Sequence, residues 1–258
     1  PDPQGIFHTG RKNPLGKKAH ARYIRSGEGG GKWEPYQKVP NVWSIKYGEL
    51  TFNLKPMGFK HTGLFPEQAV NWDYMQEIIK KSEKPFQVLN LFAYTGGATM
   101  ACLHAGAEVT HVDASKGMVS WAKDNAVASG LSDKPVRWFV DDCIKLVERE
   151  LRRGNQYDGV VMDPPSYGRG PGGEIWKLES EVYALVEKCA LLLSRNAGFF
   201  LINSYTTGLS PSVMEYILGS VIVRTKGGKT SSDEIGLPVT SSGMVLPCGS
   251  TAIWRGME

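Results

Sequence analysis

The chain has 258 residues, 41% of them apolar, enough for one large core with a small appendage. Its formal net charge of +4 is too small to argue by itself for a nucleic-acid partner. No apolar run approaches the roughly 18 residues of a membrane span, so neither a transmembrane helix nor a membrane partner is expected.

The opening Pro1-Asp2-Pro3-Gln4 has no signal-peptide pattern and no initial Met, which leaves trimming of the chain open. Four cysteines, Cys102, Cys143, Cys189 and Cys248, show no paired spacing. That argues against zinc or disulfide frameworks and for a reducing, cytoplasmic setting; no metal ligands are assigned.

Residues 1–40 lack apolar periodicity. They carry Arg11, Lys12, Lys17, Lys18, Arg22, Arg25, Lys32 and Lys38 against Glu28 and Glu34. Gly27, Gly29, Gly30 and Gly31 loosen the segment, and Tyr23, Trp33 and Tyr36 are interleaved. Basic residues with exposed aromatics suit a phosphate backbone and stacked bases. A loosely draped, solubilising tail has the same composition, and both readings stand.

Residues 42–54 alternate as a β-hairpin with its turn near 46–49. A Gly-bounded, aromatic-rich loop, residues 58–68, follows. Its His61 is either a base or, more plainly, a hydrogen-bonding turn residue. Pro66 can open a helix whose apolar face is Ala69, Trp72, Met75 and Ile79. Lys84-Pro85 ends it and a strand over 86–91 begins.

That strand runs into Phe92-Ala93-Tyr94-Thr95-Gly96-Gly97, read as a turn that only small residues allow, then a helix over 99–104. A second strand over 108–112 ends in Asp113. This is the sequence form of a nucleoside-binding βαβ unit. It lacks the full G-x-G-x-x-G that brings backbone N–H groups onto a pyrophosphate. One Gly pair favours a nucleoside without phosphate, of which S-adenosylmethionine (SAM) is the common example. Asp113 lies about 20 residues past the turn, where a carboxylate accepts ribose hydroxyls. Its alternative use is as a helix cap, for which Ser115 is the better candidate.

Met118, Val119, Ala122, Ala126 and Val127 face the core of the next helix, and Gly130 ends it. A third strand, 136–140, leads into Asp141-Asp142; Asp142 is placed to reach an adenine amino group. Ile144, Val147, Glu148 and Leu151 mark another helix. A fourth strand, 157–162, ends in Asp163-Pro164-Pro165-Ser166-Tyr167, and its unbroken apolar run predicts burial on both faces. The glycines of 168–173 read as an irregular substrate loop. Later elements are a helix over 181–193, a fifth strand over 198–203 and a helix over 211–218. Two closing antiparallel strands follow, the last over 250–255, with residues 236–238 and 246–249 as flanking loops.

The strand-turn motif, Asp113-Ala114-Ser115, Asp142 and Asp163-Pro164-Pro165 together resemble class I SAM-dependent methyltransferases. With Gly63-Leu64-Phe65-Pro66-Glu67-Gln68, they more narrowly resemble the bacterial 23S ribosomal RNA large-subunit methyltransferase family, over residues 47–255. The resemblance implies an α/β fold: a Rossmann-like, seven-stranded sheet with helices on both faces behind a small β-rich N-terminal region. The expected organisation is a basic, Gly-rich segment over 1–40 and a β-hairpin module over 41–62, both read from the residues, then a SAM-dependent methyltransferase domain over 63–258 that the resemblance implies. It also implies SAM as cofactor, S-adenosylhomocysteine as product, and RNA, ribosomal RNA above all, as partner; a homodimer is left open. Cofactor contacts fall to Phe65, Gln68, Phe92, Ala93, Tyr94, Gly96, Gly97, Asp113, Ala114, Ser115, Asp142 and Asp163. Asp163, Pro164 and Pro165 face the target atom.

Cytosine-C5 members of such families use a Cys thiolate after the fifth strand. Tyr205 stands there instead, within Ser204-Tyr205-Thr206-Thr207, and Ser166 follows the Asp-Pro-Pro. The expected chemistry is therefore direct displacement without a Cys adduct. Three rivals stay open: a nicotinamide oxidoreductase, which lacks its third Gly; a SAM-dependent enzyme acting on a small molecule or protein; and a non-catalytic RNA-binding protein of this fold.

Overall fold

The computed structural model describes residues 18–26, 30–58, 60–206 and 208–257. The expectations placed on Pro1 to Gln4, Arg11, Lys12, Lys17, Gly27, Glu28, Gly29 and Thr207 lie outside the described residues. The chain divides into two compact units between Phe65 and Pro66.

The first unit holds two hairpins. Strands β1 (Ala21–Arg25) and β2 (Gly31–Pro35) pair antiparallel, as do β3 (Trp43–Tyr47) and β4 (Leu50–Leu54). The second hairpin matches the alternation read from the sequence: Leu50, Phe52 and Leu54 are buried. The first replaces the expected loose segment. Tyr23 and Trp33 are cross-strand partners with rings edge-on at 5.4 Å, and Trp33 Nε1 donates to the Met57 carbonyl at 3.0 Å. These two aromatics are half-buried rather than offered to solvent; Tyr36 is exposed.

In the second unit, α1 (Ala69–Lys81) leads to β5 (Gln87–Leu91), α2 (Gly97–His104), β6 (Glu108–Asp113) and α3 (Lys116–Ala128). Then come β7 (Val136–Val140), α4 (Cys143–Arg153) and β8 (Gly159–Met162). The expected Gly-rich loop is instead an antiparallel hairpin of β9 (Tyr167–Arg169) and β10 (Ile175–Lys177). After it, α5 (Leu178–Leu192), β11 (Phe199–Ser204) and α6 (Pro211–Leu218) follow. Residues 219–226 continue that helix, first with π and then with α geometry. The closing strands β12 (Lys229–Pro238) and β13 (Val245–Arg255) are longer than expected. Residues 236–238 and 246–249, read as loops, are paired within them, and a register shift at Ile235/Gly236 absorbs the irregularity.

The sheet has seven strands in the order β12-β13-β11-β8-β5-β6-β7. β11, β8, β5, β6 and β7 run parallel; β13 runs antiparallel to both β11 and β12. Every residue of β8 and β11 is buried, as an apolar parallel strand covered by helices on both faces must be. On one face Leu146, Leu185, Val186, Met214 and Leu218, from α4 to α6, pack over Leu89, Met162, Phe200 and Trp254.

Two buried ionisable groups are tied into this frame. The Glu150 carboxylate receives both Arg137 guanidinium nitrogens at 3.0 and 3.2 Å, Arg153 at 2.9 Å, Asn155 at 2.7 Å and the Tyr157 hydroxyl at 2.6 Å. Burial alone would raise its pKa; these donors outweigh burial and hold it at about 2. Such a group stabilises the fold above its ordinary range and loses that contribution as pH falls from about 4.5 toward 2. His111 is buried in β6 against Trp138, with Thr99 Oγ1 at 2.9 Å from Nδ1. Thr99 also accepts from Asn90 at 2.9 Å, and His111 Nε2 is buried without a hydrogen-bond partner. Burial, helped by Lys123, pushes its pKa down to about 3.

Glu150→Ala removes the acceptor shared by five donors and should destabilise by about 3 kcal/mol, a fall of roughly 6–12 °C in Tm. His111 favours folding while neutral, so stability should decline as pH drops from about 6.5 toward 3. Denaturant melts of His111→Leu should show a shallower decline across that interval.

Candidate active site

β5 lies between β6 and β8, and the chain leaves it toward opposite edges of the sheet. The crevice at the carboxyl ends of β5 and β8 is therefore the topological switch point, where open α/β sheets bind ligands.

The turn leaving β5 is built on left-handed backbone at Phe92 (φ 54°), Tyr94 (φ 50°) and Gly96 (φ 86°). Two of those positions are aromatic L-residues, contrary to the reading that only small residues fit. Each costs about 1–3 kcal/mol, and such strain persists only where neighbours over-determine it. Here they do. Asp113 Oδ2 accepts the Tyr94 N–H at 2.8 Å, and Cys143 Sγ accepts that of Phe92 at 3.4 Å. Ala93 N–H donates to the Val112 carbonyl at 2.9 Å, and the buried Asn125 amide donates to the Thr95 carbonyl at 2.9 Å. The glycines answer to the protein's own packing: a Cβ on Gly96 would lie 3.0 Å from Ala122 Cβ, and one on Gly97 would lie 2.7 Å from the Trp72 ring. Helix α2 accordingly begins at Gly97, two residues before the predicted start.

Asp113 ends β6. Its Oδ1 accepts the Ser115 N–H at 2.8 Å, so each oxygen already holds one backbone donor and keeps a further lone pair. Burial raises its pKa against the pull of those two donors. Ser115 is the N-cap of α3, as expected, accepting from Met118 N–H at 3.4 Å; Ala114 lies half-buried between them. Asp142 follows β7 and caps α4 through Oδ1, which accepts from Lys145 N–H at 2.9 Å. The β9–β10 hairpin passes beside its other oxygen: a Cβ on Gly170 would lie 3.1 Å from Oδ2. Lys145 and Glu174 form an ion pair that anchors the hairpin tip.

Asp163 ends β8. Burial, with the Glu67 carboxylate adding like charge, pushes its pKa up to about 7. Pro164 is buried and Pro165 exposed. The Pro165 carbonyl accepts from Trp176 Nε1 at 2.6 Å, and the Trp176 ring sits 4.9 Å from that of Phe92. Trp176 thus ties the Asp-Pro-Pro loop to the strained turn. Sequence reasoning passed over it; the signal was the alternation Ile175-Trp176-Lys177 inside a glycine-rich stretch. Gln68 is buried, with Nε2 donating to Tyr205 Oη at 2.8 Å and Oε1 accepting from Asn71 at 2.9 Å. Phe65 belongs to the first unit, where its ring lies 4.9 Å from that of His61.

The structure brings Phe92 to Gly97, Asp113 to Ser115, Asp142 and Asp163 to the carboxyl ends of neighbouring strands β5 to β8. Those ends carry carboxylates, which suit ribose hydroxyls, an adenine amine and a cationic sulfonium and would repel a pyrophosphate. The arrangement therefore fits SAM and disfavours a dinucleotide.

Comparison with known proteins agrees. A family model described as S-adenosylmethionine-dependent methyltransferase matches residues 23–190. The chain is 35% identical over 137 residues to the ribosomal RNA large subunit methyltransferase K/L of Shewanella baltica, covering 51% of this chain and 18% of that protein. It is 30% identical over 168 residues to the corresponding protein of Pseudoalteromonas atlantica, covering 64% and 23%. The matched stretch thus spans about a fifth of the length of these curated relatives. A SAM-dependent methyltransferase from Agrobacterium tumefaciens superposes with a TM-score of 0.88 at 34% identity, over 93% of this chain and 78% of that one. SMU.776, a methyltransferase solved with S-adenosylhomocysteine, shares the fold with a TM-score of 0.69 at 20% identity, over 87% and 58%. From its strand-end acids, its sheet order and this match over more than half its length, the chain belongs to the S-adenosylmethionine-dependent methyltransferase family.

Proposed function

We propose that this methyltransferase modifies a nucleobase nitrogen of ribosomal RNA by direct displacement, with no cysteine adduct. The observation carrying this reading is Asp163: a carboxylate of raised pKa at the switch point, in a loop whose prolines offer acceptors and no N–H donors. The ribosomal substrate is taken from the K/L relatives, which carry it in their names.

SAM supplies a methyl group on an already activated sulfonium, so the protein's work is chiefly positioning. Asp113 would accept the ribose hydroxyls and Asp142 Oδ2 the adenine amine. Phe92, Ala93, Tyr94, Gly96 and Gly97 would line the nucleoside, with Ala114 and Ser115 beside the ribose. Asp163 would accept a hydrogen bond from the target N–H and take its proton as the new N–C bond forms. Pro164 and Pro165 would hold that loop rigid.

The cysteines support the absence of an adduct. Cys102, Cys143 and Cys189 are buried, and burial pushes all three thiols up. Cys143 is further committed to the Phe92 N–H. Cys248, in β13, is half-buried and also raised by burial. None meets the low-pKa, accessible profile of a nucleophilic thiolate.

Asp163 must be ionised to accept a proton, so transfer to 23S ribosomal RNA from cells lacking the gene should rise with pH and level off above about 7. Asp163→Asn should lower kcat roughly 100- to 10,000-fold and remove that limb. A raised carboxyl pKa also means the native state binds more protons than the unfolded chain between 3.8 and about 7, so stability falls across that window and ionised Asp163 opposes folding above it. Asp163→Asn should therefore melt higher than the parent at pH 8 while losing activity; an unchanged pH profile would refute the base role.

Asp113→Ala should weaken S-adenosylhomocysteine binding about 10- to 100-fold by calorimetry. Unaltered affinity would remove the ribose assignment. Transfer to a small molecule or protein, with ribosomal RNA untouched, would replace the substrate reading and leave the cofactor site standing.

A further inference from the structure

Tyr205 follows β11, which runs beside β8 with Ile202 level with Met162. It therefore emerges next to the Asp163 loop, and the hydroxyls of Ser166 and Thr206, 2.5 Å apart, join the two segments. Its surroundings are built around its hydroxyl. Gln68 Nε2 donates to Oη at 2.8 Å, and Oη in turn donates to the Glu67 carboxylate.

Behind Gln68 lies a buried polar chain. Asn71 Nδ2 donates to Gln68 Oε1 and to Asn203 Oδ1, both at 2.9 Å, and Thr251 Oγ1 reaches Asn71 Oδ1 at 3.5 Å. Glu67, Gln68, Asn71, Asn203 and Thr251 are all buried. Three stretches of chain, residues 67–71, 203–205 and 249–251, thus converge on one phenol, and a paired network of this kind is rigid. The ring also packs on bare backbone: a Cβ on Gly249 would lie 2.8 Å from its Cδ1 and Cε1.

Yet Tyr205 is 38% exposed. With its hydroxyl committed, what it offers a ligand is the ring. Burial, and then the charges of Asp163 and Glu67, push its pKa upward, so it stays protonated and is neither a base nor a nucleophile.

We infer that Tyr205 is the platform on which a planar nucleobase seats beside Asp163, and that Gln68 and Glu67 are positioning residues that hold the ring at a fixed angle. This rests on the reading of the substrate as RNA. A flat ring stacked on a fixed aromatic face presents an in-plane N–H to a carboxylate at its edge, which is the geometry Asp163 requires. The same arrangement accounts for the aromatic residue at the position where a cytosine-C5 enzyme would carry its thiol.

The test measures transfer from labelled SAM to 23S ribosomal RNA from cells lacking the gene, together with S-adenosylhomocysteine affinity and Tm. Base–aromatic stacking predicts that Tyr205→Ala lowers kcat/KM for RNA about 5- to 150-fold. Affinity for S-adenosylhomocysteine should stay within about twofold. Tyr205→Phe keeps the π face but loses the hydroxyl's ties to Gln68 and Glu67, so it should recover only part of the loss and match Gln68→Ala in its KM for RNA. Gln68→Ala should raise KM for RNA with the cofactor affinity again unmoved. Should Tyr205→Ala fail to fold, Tyr205→Leu, which keeps bulk without a π face, is read the same way. Unimpaired transfer by the ring-less variant, or a parallel loss of S-adenosylhomocysteine binding, would overturn this inference alone. A parent protein that binds S-adenosylhomocysteine but methylates no RNA would overturn the substrate reading and this inference together.

Discussion

The turn after β5 holds two aromatic residues, Phe92 and Tyr94, in left-handed backbone, and much of the second unit is arranged to keep it there. The strain is of order 2–6 kcal/mol for the pair. It is offset by contacts from four other elements. β6 supplies the Val112 carbonyl and the Asp113 carboxylate, α3 the Asn125 amide and α4 the Cys143 sulfur. The β9–β10 hairpin adds the Trp176 ring, which also grips the Pro165 carbonyl. Asp113, the residue we propose for the ribose, is thus also a brace for the turn beside it. Cys143 and Asn125, which look like ordinary core residues, act on the site through the backbone.

A second constraint is the crowding of acids at the carboxyl edge. Asp163 sits near Glu67 in a partly buried setting, and burial with like charge raises its carboxyl pKa. A neutral residue in place of Asp163 would relieve the fold, so its ionised carboxylate opposes stability. Elsewhere the same protein satisfies its buried charge completely, as at Glu150, where five donors surround one carboxylate. The two carboxylates differ in this: donors hold the Glu150 pKa down, while burial and Glu67 raise that of Asp163.

Much of this was legible in the chain. The apolar runs at 86–91 and 157–162, the Gly pair and the strand-end acids report local patterns that survive into the sheet. The illegible parts depend on contacts far apart in sequence. Tyr23 and Trp33 make a hairpin by cross-strand pairing and a bond to Met57, which no periodicity announces. The glycines of 168–173 suggest a loop, but Trp176 and the Lys145–Glu174 ion pair fold them into a hairpin. Residues 236–238 and 246–249 carry Gly and Pro and so read as loops, but a bulge lets two long strands accommodate them. Gln68 reads as a cofactor contact from the resemblance, and its bond to Tyr205, across 137 residues of chain, has no local signature.

The central claim is that this methyltransferase marks ribosomal RNA at a base nitrogen. The most direct measurement compares modified nucleosides, by mass spectrometry, in ribosomal RNA from cells with and without the gene, and then adds back purified protein with labelled SAM. The account predicts one N-methylated nucleoside that disappears with the gene and returns with the protein. An unchanged nucleoside profile, with SAM binding intact, would contradict it.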